Sequence, residues 1–145
     1  TGHLVFGTLH TTTAISTIDR LIDQFPSSQQ AQIRTMLASS LKGVVAQNLL
    51  KKKGGGRVAA LEVLVVNPAV SALIREAKIT QIMSIMQTAK REGMTLLNEE
   101  LCRLAKEGVV EPDEAYAKAT DKEDLLRLFQ ARGVSFKPSE PEAGQ

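Results

Sequence analysis

The sequence holds a single cysteine, Cys102, no tryptophan, one tyrosine and four phenylalanines among its 145 residues. A lone thiol forms neither an internal disulfide nor a cysteine-based zinc site, which makes a reducing, cytoplasmic setting the default. So few aromatics argue against surfaces that stack bases or sugars. Charge of one sign is also scarce. Eighteen basic residues against 16 acidic ones leave a net charge of +2, which makes no bulk electrostatic case for nucleic acid. No stretch approaches the roughly 18 consecutive apolar residues of a membrane span, so none is expected. The sequence opens on Thr1-Gly2-His3, and these first residues are not expected to act as a charged leader or targeting segment. What remains is a globular profile, 43% hydrophobic and 23% charged. A chain of this length buries roughly 70% of the surface it exposes unfolded, enough for a true core.

The chain runs at once into Leu4-Val5-Phe6-Gly7-Thr8-Leu9, an apolar run that predicts a buried strand. A buried strand needs neighbours, so the chain is expected to be cut from a longer one at its N-terminal side. The polar junction that ends in Thr13 suits a helix cap, and Ile15, Ile18, Ile22 and Phe25 recur at helical spacing up to Pro26. Ser27 with Gln30 is a capping-box signature, and a long helix should follow from about residue 28 into the forties, with Ile33, Met36, Leu37 and Leu41 on one side. The period then changes. Residues 45–50 and 57–66 predict two strands joined by a basic, Gly-rich turn, the second so apolar that it should be central. Within it, Glu62 is the one carboxylate expected to be buried, and such a group must be paired or functional.

Beyond residue 66 the pattern is helical. Asn67 as N-cap and Pro68 at the first helical position start a helix to about Ala77. Further helices are expected over Ile79–Ala89, from Thr95 to Gly108, from Glu111-Pro112, and from Asp121 to about Gly133. The fold class is therefore α/β: residues 1–66 as the back half of a sheet domain, 67–134 as an all-helical C-terminal subdomain, and 135–145 as a disordered tail.

Few residues suggest chemistry. The triplet Gly54-Gly55-Gly56 follows three lysines but leads into a strand, so it is a hairpin turn and not a phosphate loop. No phosphate loop occurs elsewhere, and nucleotide hydrolysis would need residues from upstream. The two histidines, His3 and His10, stand seven apart, a spacing that matches no standard metal motif, so no metal site is expected. Thr8, His10 and Thr11 crowd the C-terminal end of the first apolar run, the edge of an open α/β sheet where ligands bind. An imidazole beside hydroxyls suits a γ-phosphate or an attacking water. Cys102, Met83 and Met86 lie at core spacing, and Asp19, Arg20 and Asp23 form a solvated face. The helix with Leu73, Ile74 and Ala77 is, on physical grounds alone, an ordinary amphipathic one.

Three blocks, in order, carry a resemblance. Thr1-Gly2-His3-Leu4-Val5-Phe6-Gly7-Thr8-Leu9-His10-Thr11 resembles the "His box" of the secretion and type IV pilus ATPases. Lys52-Lys53-Gly54-Gly55-Gly56-Arg57-Val58-Ala59-Ala60 with Glu62 resembles the retraction ATPases of type IV pili. Ala69-Val70-Ser71-Ala72-Leu73-Ile74-Arg75-Glu76 stands where that family has its retraction motif, with Val70, Ser71 and Ala72 replacing Ile-Arg-Asn. The similarity reaches to about residue 118; the helix from Asp121 has no counterpart in it.

The resemblance implies the C-terminal part of a RecA-like ATPase core that works as a homo-hexamer on ATP and Mg2+, with the phosphate loop and the Mg2+ ligands upstream. It implies that His10, with Thr8, Thr11 and His3, senses or positions the γ-phosphate. It also implies that the helix carrying residues 69–76 couples ATP turnover to pilus disassembly at an inner-membrane platform protein, which places the motor in the cytoplasm, peripheral at that membrane. Two rival readings remain: a pilus-assembly or type II secretion ATPase, which usually carries a four-cysteine zinc insertion, and a non-enzymatic helical interaction domain.

Overall fold

A computed structural model of the chain describes residues 2–138. Helix α1 (Ala14–Asp23) starts at a reciprocal capping box. Thr13 Oγ1 accepts from Ser16 N at 3.1 Å, and the Thr13 N–H donates to Ser16 Oγ at 3.3 Å, so two first-turn donors find partners locally. Pro26 then takes the N-cap place of α2 (Ser27–Ser40), where it offers no side-chain acceptor. The Ser27/Gln30 box is consequently not formed, and Gln30 Nε2 donates instead to the Phe25 carbonyl at 3.1 Å. In α2 only Ala38 is fully buried, and Met36 stays 56% exposed, so its apolar side is far more open than the spacing suggests.

Strands β1 (Gly43–Lys51) and β2 (Arg57–Val65) form the hairpin the sequence predicts. Its turn runs through Gly54, Gly55 and Gly56 at φ +79°, +107° and +77°, a succession that only glycine adopts cheaply. Val44, Ala46, Asn48 and Leu50 of β1 face inward, with Ala60, Glu62 and Leu64 of β2, in the period-two alternation of a half-buried sheet. Val45 and Leu49 face outward and are exposed.

Two expectations change. Among the described residues β2 pairs with β1 alone, so it is an edge here and not a central strand. Residues 4–9 form no strand, and Leu4, Val5 and Phe6 are exposed. A strand exists only through a neighbour's N–H and C=O groups, and no described strand pairs with this segment.

The chain gathers into two compact units that cut across the division at residue 66: one runs to Gln47 and resumes over Glu62–Met94, the other holds Asn48–Leu61 and continues from Thr95. The first unit adds α3 (Pro68–Arg75), a 3-10 turn over Ile79–Gln81, and α4 (Ile82–Thr88). Ile18, Ile22, Leu64, Val70, Ile74 and Ile82 are among its buried apolar residues, and α3 lies against α2. Met86 is buried as expected, whereas Met83 is 42% exposed and is not a core residue.

The second unit packs α5 (Leu97–Lys106), α6 (Pro112–Lys118) and α7 (Lys122–Arg132) around Leu101, Leu104, Val110, Leu125 and Phe129, with Leu50 and Ala60 from the turn end of the hairpin. Asp121 caps α7 through Asp124 N at 3.0 Å, as its place in the sequence predicts. Asn98 Nδ2 donates to the Asp121 carbonyl and to Asp124 Oδ2, both at 2.8 Å, which ties α5 to that cap. Cys102 is fully buried, and burial pushes its thiol up, as befits a core thiol. The disordered tail is expected over residues 135–145, yet Phe136 is packed. Phe136 packs at 5.1 Å from the Tyr116 ring and 5.7 Å from Phe129, while residues 139–145 lie outside the described residues.

Because Leu101 is fully buried in this second core, Leu101→Ala should lower stability by about 2–5 kcal/mol. Met36→Ala, at a surface position, should move it by less than about 0.5 kcal/mol. Urea midpoints of the two variants check the contrast; equal midpoints would contradict the packing.

Candidate phosphate-facing segment and coupling helix

The segment that ends at α1 is shaped by the helix it leads into. Thr11 Oγ1 meets Thr17 Oγ1 at 2.6 Å, and Thr17 Oγ1 also donates to the Thr13 carbonyl at 2.8 Å. Arg20 Nη1 donates to the His10 carbonyl at 3.2 Å. The first two turns of α1 thus hold the His10 carbonyl and the Thr11 hydroxyl through side chains, and the His10 imidazole is left exposed. Thr8 is exposed two residues earlier. His3 lies seven residues before His10 on the extended stretch and takes no part in the bonds that hold His10 and Thr11. Of the four residues singled out in the sequence, then, α1 anchors two directly.

Beneath this segment lies Glu62, only 5% exposed, as its place in an apolar strand predicts. Its Oε1 accepts the Ala14 N–H, the first backbone donor of α1, at 2.8 Å. A carboxylate is at its best there, on an orphan donor and at the positive end of the helix. The sequence predicts the burial of Glu62 but not its partner, because the two residues are 48 apart. The sequence places Arg20 on a solvated face; its exposed side chain nonetheless reaches back to His10, a contact that no motif announces. On the same face, burial and the neighbouring Asp23 push the Asp19 carboxyl above its usual value, with Arg34 partly offsetting them.

Helix α3 carries the second candidate. Asn67 Oδ1 accepts from Val70 N at 2.9 Å and Pro68 opens the first turn, the start the sequence predicts. Val70 and Ile74 are fully buried, Ser71, Ala72 and Leu73 are half-buried, and Ala69, Arg75 and Glu76 are exposed. Ser71 has a role that the sequence does not show: its Oγ donates to the Ala38 carbonyl at 2.7 Å and so clips α3 to the last turn of α2. Glu76 pairs with Lys78 at 3.0 Å, on the surface. The helix is stopped by Ala77 at φ +59°, where the Lys78 N–H returns to the Leu73 carbonyl at 2.9 Å. A β-carbon in that left-handed conformation costs roughly 1 kcal/mol or more, so the end of α3 is strained.

Among the described residues no group of three His, Cys, Asp or Glu side chains is placed to hold a metal ion. Exposed hydroxyl and imidazole donors on a segment braced by a helix suit anionic oxygen, and a phosphate is the ligand class they fit.

Comparison with known proteins bears on this arrangement. Residues 1–54, which include the whole segment, match the family described as Type II/IV secretion system protein. Over this stretch, at the start of α1, the chain is thus similar to that class of secretion-system proteins. A twitching motility protein of Neisseria gonorrhoeae is 49% identical over 126 residues, 86% of this chain and 34% of that protein. The type IV pilus retraction ATPase PilT of Pseudomonas aeruginosa is 48% identical over 125 residues, 86% of this chain and 36% of that protein. A crystal structure of the pilus retraction motor PilT with bound ADP superposes with a TM-score of 0.79 at 46% identity, covering 88% of this chain and 35% of that one. Within that class the chain is a homologue of the type IV pilus retraction ATPases, and the expected fold class, the C-terminal part of a RecA-like core with a helical subdomain, is borne out. The chain spans about one third of the length of the relatives it matches.

The strain at Ala77 has a direct consequence. Ala77→Gly should raise the stability of the chain by about 0.5–1 kcal/mol, the relief of a β-carbon at positive φ less the entropy glycine loses on folding. A urea midpoint that falls in the variant would show that Ala77 is not held in the left-handed region.

Proposed function

We propose that the whole protein is an ATP-driven, homo-hexameric motor that retracts type IV pili, and that this chain supplies its phosphate-facing segment and its coupling helix. The observation that carries the reading is the 49% identity to a twitching motility protein over 86% of the chain. ADP bound in the related retraction motor supports a nucleotide as the ligand. ATP would supply the driving free energy through cleavage of its terminal phosphoanhydride. Thr8, His10 and Thr11 would hold the γ-phosphate or orient the attacking water, with His3 in the same segment. His10 would donate from an exposed imidazole, on a main chain that Arg20 ties to α1. The Mg2+ that accompanies ATP would be held by residues outside the described ones.

Helix α3 passes the change on. Its buried Val70 and Ile74 root it in the first unit, while Ala69, Arg75 and Glu76 look outward and Leu73 is half-buried. A rigid helix with one face rooted transmits a displacement as a body. Its partner in this reading is the inner-membrane platform of the pilus, with the motor on the cytoplasmic side. No helix among the described residues is long and apolar enough to cross a membrane, so contact with that platform would be peripheral.

In the full-length protein, His10→Ala should lower ATP turnover on the order of 100-fold with the ring still assembled. Turnover close to wild type, measured alongside ring mass, would remove His10 from the site. Leu73→Ala should leave ATP turnover largely intact and abolish twitching on agar; twitching at wild-type rate would refute the coupling role of α3.

A further inference from the structure

We propose that Glu62 is a positioning residue that joins the phosphate-facing segment to the coupling helix, an inference that rests on the motor reading above. The argument starts from cost. A carboxylate on the inward face of β2, flanked in the strand pattern by Ala60 and Leu64, loses its hydration and must be repaid by donors. Helix α1 does not need Glu62 in order to start, because Thr13 and Ser16 already cap each other. What the local cap leaves open is where α1 begins relative to the sheet. The Ala14 N–H on Glu62 Oε1 at 2.8 Å fixes that, across 48 residues of sequence.

Two connections give the bond its consequence. On one side, His10 and Thr11 are bonded to Arg20 and Thr17 of α1, so their place follows the place of α1. On the other, β2 ends at Val65, and only Val66 and Asn67 separate it from α3. Glu62 therefore lies at a hydrogen-bonded joint that links the start of α1 to the strand feeding α3. Motion of a nucleotide-facing segment reaches α3 through that joint, and loss of the joint lets α1 shift without moving β2.

The test uses two variants and two readouts. In the 145-residue chain, Glu62→Ala should speed hydrogen exchange of the Ala14 amide by about tenfold or more, while α7 amides keep wild-type protection. Glu62→Gln, which retains an oxygen for the Ala14 N–H, should restore most of that protection. In the full-length motor, Glu62→Ala should lower kcat for ATP by about tenfold with KM changed less than about twofold, and Glu62→Gln should recover most of the rate. Unchanged Ala14 exchange in Glu62→Ala overturns the proposal. A wild-type kcat in Glu62→Ala, in a motor that His10→Ala disables, also overturns it while the motor reading stands. If His10→Ala and Glu62→Ala both turn over ATP normally, the motor assignment of this segment fails with it. Loss of α7 protection together with Ala14 would show a merely structural role and equally refute the positioning claim.

Discussion

One buried carboxylate sets the terms for the first unit. Glu62 is inward on a strand whose neighbouring inward positions are apolar, and the cost of hiding that charge is offset by a backbone donor that would otherwise be orphaned. The one bond gives the carboxylate a donor and the helix's first N–H an acceptor. The start of α1, the His10 carbonyl and Thr11 hydroxyl bonded to that helix, and the strand that feeds α3 are all referred to that point. The unit's buried hydrophobic residues, among them Ile18, Ile22, Leu64 and Ile74, make it stable, yet apolar packing is non-directional and would not by itself choose a register for α1.

The second unit is stabilised differently. Its helices meet over a purely apolar cluster from Leu101 to Phe129, and its polar contacts, such as Asn98 with the cap of α7, lie between neighbouring helices. Arg103, held between Glu100 at 2.6 Å and Glu107 at 2.7 Å, adds little, since exposed pairs of this kind contribute about 0–1 kcal/mol. Nothing in this unit carries the chemistry proposed for residues 8–11. Its distinctive feature is the aromatic contact of Phe136 with Tyr116 and Phe129, which holds the chain beyond α7 against the helices.

What could be foreseen from the residues was what local chemistry decides. The hairpin followed from three glycines between two apolar runs, α3 from Asn67-Pro68, and α7 from Asp121, because caps and turns act within a few residues. The burial of Glu62 was legible from its apolar neighbours; its partner was not, because no pattern links residues 14 and 62. The run over residues 4–9 misled for the same reason, since a strand is made by what lies beside it and the apolar spacing does not say whether anything does. Met36 and Met83 show the limit of helical periodicity, which marks a face without showing whether another element covers it. Ser27 was displaced from its capping role by Pro26, one residue earlier. In the candidate site, His10 and Thr11 stood out by residue type, whereas Arg20 and Ser71 act through contacts made only in the folded chain.

The central claim is that this segment faces a nucleotide phosphate in a motor. The most direct measurement is a structure of the full-length ring with a non-hydrolysable ATP analogue bound. The account predicts the His10 imidazole within about 3 Å of a γ-phosphate oxygen, or joined to it through one water, in at least one subunit. An imidazole beyond both reaches in every nucleotide-filled subunit would contradict it.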